Sequence, residues 1–176
     1  MSVNAKKDIV TNDEWVKRLP VRDKKIYSMY SSVTDCITTD QSIMSVPVDD
    51  HMVHRGDGVF ESFKCLGGSL YNLEEHLSRL EHSCSVLGIA LPVAIEELAG
   101  IIVQTVRAGN HPDALVRLLV SRGQGTMGIN PYDCFHSEFY IVAYELKRTS
   151  TESLPDGVRV GLSKIPIKPG IFAQVK

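Results

Sequence analysis

Three charged side chains in this sequence sit where a charge has to be explained. The first is Arg79, in "NLEEHLSRLEHSCSVLG" (72–88). Leu73, Leu77, Leu80, Cys84 and Leu87 recur there at steps of four and three, which makes one apolar helical stripe. His76 and Arg79 share one flank of that stripe, while Glu74, Glu75, Glu81 and His82 point further round. Arg79 therefore borders the buried face, where it can point into a cleft or simply snorkel to water. The second is Arg117, in "ALVRLLVSR" (114–122). Strand alternation puts it on one face with Leu115 and Leu119. An unpaired guanidinium among apolar neighbours is costly, so an anion is expected, either Glu61 or a substrate carboxylate. Arg122 projects from the opposite face. The third is Lys176, the last residue of "IPIKPGIFAQVK" (165–176), behind the apolar Ile171, Phe172, Ala173 and Val175. An amine partly desolvated there has a lowered pKa and suits Schiff-base chemistry, whereas a solvated surface charge is its ordinary alternative.

Two glycine-rich stretches accompany these charges. "SRGQGTMGINP" (121–131) carries three glycines whose backbone N–H groups can approach a ligand. It lacks the GK[ST] ending of a phosphate loop, and a plain turn is the alternative. "HRGDGVFE" (54–61) flanks Asp57 with glycines just before a strand, as a turn entering a hairpin does.

The elements that must position these groups follow from periodicity. "TNDEWVKRLP" reads as a short capped helix ended at Pro20, and residues 26–50 read as loops with little regular structure. A strand over 58–65 and a hairpin turn at Gly67-Gly68 lead into the 72–88 helix. Asn72 with Glu75 predicts an N-terminal capping box, and Gly88 a C-terminal turn. A second helix is expected over 93–108, with Ile95, Leu98, Ile102 and Val106 inward. Further strands are expected over 114–122, 138–146 and 157–167. A hairpin, two helices and then strands predict an α+β layer rather than βαβ units.

Composition narrows the function classes. The 176 residues are 43% hydrophobic and 23% charged, enough for a packed core. A net charge of −2 offers no basic field, which argues against a nucleic-acid partner. Cys36, Cys65, Cys84 and Cys134 lie far apart with no zinc spacing, so no metal site is expected and the thiols read as reduced, in a cytoplasmic protein. No apolar run approaches the roughly 18 residues of a membrane helix, and no secretory signal is visible.

Taken in order, "HRGDGVFE", "EEHLSRL", "VRLLVSRG" and "KIPIKPGIFAQVK" resemble the class IV aminotransferases, the fold-type IV enzymes that use pyridoxal 5'-phosphate (PLP). "DDHMVHRGDGVFE" and "IPIKPGIFAQVK" are similar to the D-amino acid aminotransferases and the related aminodeoxychorismate lyases. "GTMGINP" resembles the branched-chain aminotransferases instead, and typical bacterial D-alanine aminotransferases carry an arginine near the place of Met127.

The resemblance implies roles for individual residues. Arg79 matches the arginine that binds the PLP phosphate, and His76, one turn earlier, helps organise that wall. Phe60, in "GVFE", matches an aromatic lining the substrate pocket. Arg117 matches an arginine used near the substrate in the branched-chain branch, and Lys176 matches the lysine that bonds to the cofactor and acts as base and acid.

The same resemblance implies an organisation and an activity. Residues 1–48 are expected to be an N-terminal extension with loops, 49–150 a small α+β domain, and 151–176 a linker and the first strand of a larger PLP-binding domain. The chain is thus expected to be an N-terminal part of a longer protein. The implied activity is amino transfer between a D-amino acid or branched-chain amino acid and a 2-oxo acid, in a homodimer. An aminodeoxychorismate lyase giving 4-aminobenzoate and pyruvate is the alternative within the family, and a non-catalytic binding protein on the same fold is the alternative outside it.

Overall fold

A computed structural model describes residues 8–19, 25–147 and 157–165. The apolar alternation of the central segments produces one antiparallel sheet. Its strands are β1 (Ile26–Ser31), β2 (Cys36–Thr38), β3 (Gly58–Leu66), β4 (Ser69–Leu70), β5 (Ala114–Ser121) and β6 (Glu138–Tyr144), in the order β2-β1-β6-β5-β3-β4. The helices are α1 (Asn12–Arg18), α2 (His51–Arg55), α3 (Leu73–Leu87) and α4 (Ile95–Gly109). Helices and strands segregate as expected of an α+β fold.

One face of the sheet carries α3 and α4. Val59, Phe63, Val116, Leu118 and Ile141 from the strands pack there against Leu77, Leu80, Leu98 and Ile102 from the helices. Leu80, Leu98 and Ile102 are fully buried, each worth about 1.5–3 kcal/mol relative to exposure. The other face carries a smaller cluster of Met29, Met44 and Tyr140, with Leu119 and Val142 at its border. That cluster does not extend over Phe60, which is 37% exposed on the same face.

Three expectations are corrected. Residues 26–38 are not loops but form β1 and β2. β1 pairs with β6, more than a hundred residues away, and its buried Ser28 donates to the Thr105 carbonyl at 2.5 Å. A polar residue inside a strand hides the strand from a search for apolar alternation. Asn72 does not cap α3: leaving the tight β3–β4 hairpin it takes a left-handed conformation (φ 51°), and its side chain makes no capping bond. Residues 157–165 contain no strand; 166–167 lie outside the described residues. Elsewhere the local signals hold. Gly67 and Gly68 have positive φ in the hairpin turn, and left-handed Gly88 closes α3 by donating to Ser85. Thr11 and Glu14 form a reciprocal capping box on α1.

Candidate functional site

β3 carries the site, because its alternation places successive residues on opposite faces. Val59, Glu61, Phe63 and Cys65 are buried against α3, while Phe60 and Lys64 are exposed on the other side. A carboxylate at full burial among apolar neighbours must be met by donors. Arg79 on α3 supplies two in a fork: Nε donates to Oε1 and Nη2 to Oε2 of Glu61, both at 2.6 Å. His76, one turn earlier, places Nδ1 at 2.8 Å from Oε2. Its ring packs 5.2 Å from that of Phe63. The bond to Glu61 raises the Arg79 pKa above its ordinary value. The Arg79 side chain is still 46% exposed, so its inner edge is pinned while its outer part stays accessible. Nη1 has no hydrogen-bond partner among the described residues.

Arg117 does not pair with Glu61. The register sets Ser62 opposite Arg117 and Glu61 opposite Leu118, so the two charges emerge from opposite faces of the sheet. Arg117 is exposed rather than enclosed by leucines. Its guanidinium lies 5.4 Å from the centre of the Phe60 ring, within cation–π range, and Nε donates to Ser62 Oγ at 3.3 Å. Among the described residues no carboxylate pairs with it. Phe60 and Arg117 thus form one pair on the open face, and His76 and Arg79 another around Glu61, with β3 common to both. Lys176 lies outside the described residues.

In the 121–131 stretch the three glycine amides have partners within the protein. The Gly123 amide donates to Ser121 Oγ, the Gly125 amide to the Asp49 carbonyl and the Gly128 amide to Thr126 Oγ1. Of these three bonds within the protein, the one from the Gly128 amide is at an exposed position. The glycines serve close packing: a Cβ on Gly125 would lie 3.0 Å from both the Asp133 carbonyl and His51 Nε2. In "HRGDG" the residue that matters is Asp57, which accepts Arg122 Nε at 2.6 Å and Nη2 at 3.1 Å. Arg122 also donates to the carbonyls of Leu87 and Gly88, closing the end of α3. The bonds to Asp57 raise its pKa.

Two residues escaped the sequence analysis as parts of the site's frame. Glu61 was named only as a possible partner for Arg117. Its place in the buried parity of Val59, Phe63 and Cys65 was the available signal. Asp50 left no signal. It is fully buried, accepts from Tyr140 Oη at 2.7 Å and from Ser121 Oγ, and caps α2 through the Met52 amide. Burial, together with the bond to Asp50, pushes the Tyr140 phenol far above its ordinary range. A cavity of about 290 Å³ lined by Met29, Ser31, Cys36 and Met44 holds none of the expected site residues. Among the described residues no cluster of His, Cys, Asp and Glu is arranged to hold a metal, and no helix is long and apolar enough to cross a membrane.

Comparison with known proteins shows what the chain is similar to. Residues 58–173 match the amino-transferase class IV family. The chain is 41% identical over 153 residues to the D-amino-acid transaminase, chloroplastic, of Arabidopsis thaliana, covering 87% of this chain and 40% of that protein. Among solved structures, a T.th. branched-chain amino acid aminotransferase complexed with N-(5'-phosphopyridoxyl)-L-glutamate superposes with a TM-score of 0.63 at 26% identity. That superposition covers 70% of this chain and 42% of the other. The 4-amino-4-deoxychorismate lyase of Pseudomonas aeruginosa superposes with a TM-score of 0.55 at 25% identity, covering 70% of this chain and 42% of that one. The chain spans about 40% of the length of the relatives it matches. The match over residues 58–173, which takes in the strand bearing Glu61 and the helix bearing Arg79, establishes that this chain belongs to the class IV aminotransferase family.

Proposed function

We propose that the protein is a transaminase that moves an amino group between an amino acid and a 2-oxo acid, with PLP as its cofactor. The observation that carries this reading is Arg79, pinned by a fully buried carboxylate yet accessible on its outer side. A forked, permanently charged donor of this kind suits a phosphate dianion, so the residues present fit the group. When bound, PLP supplies the electron sink that makes a proton on the amino acid's α-carbon removable.

Every other step falls to the protein. Arg79 anchors the phosphate, and His76 completes the wall beside it. Phe60 and Arg117 form the substrate wall, with Arg117 steering a carboxylate across the Phe60 ring. Lys176 removes the α-proton as general base and returns a proton as general acid. We place residues 49–150, together with β1 and β2, in one small domain, and 151–176 in a linker leading to a second domain. The working form is a cytoplasmic homodimer.

The amino donor is a D-amino acid, by the 41% identity to the plant D-amino-acid transaminase. The likeness to the bacterial lyase favours elimination from aminodeoxychorismate as the second reading. The intact protein is reduced with borohydride in the presence of PLP, and the modified lysine is located by mass spectrometry. Attachment at Lys176 is expected; absence of any attached PLP would sink the reading. Parallel assays with D-amino acids, branched-chain L-amino acids and aminodeoxychorismate then separate the branches.

A further inference from the structure

We propose that Glu61 is a positioning residue that fixes the Arg79 guanidinium for the cofactor phosphate, an inference that rests on the reading of Arg79 as the phosphate anchor. Three observations lead to it. First, Glu61 is fully buried and touches no solvent, so it acts only through the groups it holds. Second, it takes Arg79 by the fork of Nε and Nη2 rather than by one nitrogen, which sets both the position and the plane of the guanidinium. Third, His76 closes on the same carboxylate oxygen from the preceding turn of α3, so the carboxylate cannot swing away from the fork.

A negative charge beside a phosphate site lowers its electrostatic attraction. What the carboxylate gives in return is order. Arg79 stands on a flexible stem, and a side chain already held in place loses less freedom when its ligand arrives. The fork occupies two of the three guanidinium nitrogens and leaves Nη1 with no partner among the described residues. Glu61 leaves β3 on the face opposite Phe60, so this role is separate from any contact with substrate.

The test uses the intact protein freed of cofactor and titrated with PLP and with pyridoxal, which lacks the phosphate. The ratio of the two dissociation constants reads the phosphate contact alone. Glu61→Gln keeps the shape but removes the charge, and its loss should lower the preference for PLP about 10- to 100-fold, as loss of orienting partners does at other sites. The pyridoxal constant should stay near wild type. Glu61→Asp, which withdraws the carboxylate by one methylene, should lower the preference in the same direction.

Equal losses for both ligands would assign Glu61 to the fold alone and overturn the proposal, as would an unchanged ratio in either variant. A measurement on the wild type stands beside the variants. The Arg79 Nε proton should exchange slowly with solvent before any cofactor is added, and fast exchange overturns the proposal even if neither variant folds. Failure of the wild type to prefer PLP over pyridoxal would instead overturn the anchor reading of Arg79.

Discussion

Removing the Arg122 side chain should loosen the end of α3 before it loosens anything else. In Arg122→Ala, Asp57 loses two bonds, at 2.6 and 3.1 Å, and the carbonyls of Leu87 and Gly88 lose donors at 3.0 and 3.1 Å. Both side chains of the ion pair are largely buried, with 20% of Arg122 and 24% of Asp57 exposed, so water replaces these bonds poorly. Orphaning one partner of a buried pair costs about 3–5 kcal/mol, and the residual exposure puts this site near the low end, at about 3 kcal/mol. Arg122→Lys keeps a charge for Asp57 but cannot fork and reach the helix carbonyls together, so its loss should be about 1–2 kcal/mol. Native-state hydrogen exchange reads the effect locally. The Gly88 and Ile89 amides close α3 onto Ser85 and Cys84. Their protection should fall roughly a hundredfold in Arg122→Ala, as about 3 kcal/mol requires. A fall of less than about fivefold at these amides, equivalent to roughly 1 kcal/mol, would refute the argument that Arg122 ties the Asp57 turn to the helix end.

Four other outcomes are expected. Gly123→Ala should abolish stable folding: at φ 104° its Cβ would stand 1.8 Å from the His136 carbonyl, a clash beyond the roughly 4 kcal/mol that marks exceptional substitutions. Gly67→Ala, at φ 55° with open space around it, should cost only about 1–2 kcal/mol, and soluble yield with thermal melting checks the pair. Thiol labelling at mild alkalinity should modify exposed Cys36 first and reach buried Cys65 and Cys84 only on unfolding. Burial, with a smaller push from Glu81, moves the Cys84 thiol from 9.0 up to about 11. A pKa raised by folding contributes stability that is intact below pH 9 and lost as pH climbs toward 11, by at most about 3 kcal/mol. Denaturant midpoints across that window should fall less in Cys84→Ala than in the wild type.

The helical stripes of α3 and α4 and the alternation of β3 were legible in the sequence because each buries one regular face, whereas β5 and β6 were legible from their β-branched and aromatic residues, β6 burying both faces at Phe139 and Tyr140. β1 was not, since Ser28 sits in the core with its hydroxyl bonded to a carbonyl of α4. No local pattern announces a bond formed across 77 residues. Asn72 carried the right side chain for a cap in the wrong backbone conformation, because the preceding hairpin decides how the chain enters α3. The arginines show the same limit. Residue type pointed to Arg79 and Arg117, but their partners depend on which face Glu61 takes, and that depends on strand register. The Asp50 network joins three distant segments and is invisible until they meet.

β3 has a consequence for how such a site can change over time. Its alternate residues face two separate environments, Phe60 on the open face and Glu61 against the helix. A register shift of one residue would exchange them. Gly58 guards against that slip, since it lies where a Cβ would meet the Val120 carbonyl at 2.7 Å. With Phe60 and Arg117 as the proposed substrate wall, divergence in substrate preference is confined to exchanging side chains on the open face. Insertions and deletions within Gly58–Leu66 are closed to it, and on that proposal a library built to alter specificity varies residues 60 and 117 while leaving 61 and 79 untouched.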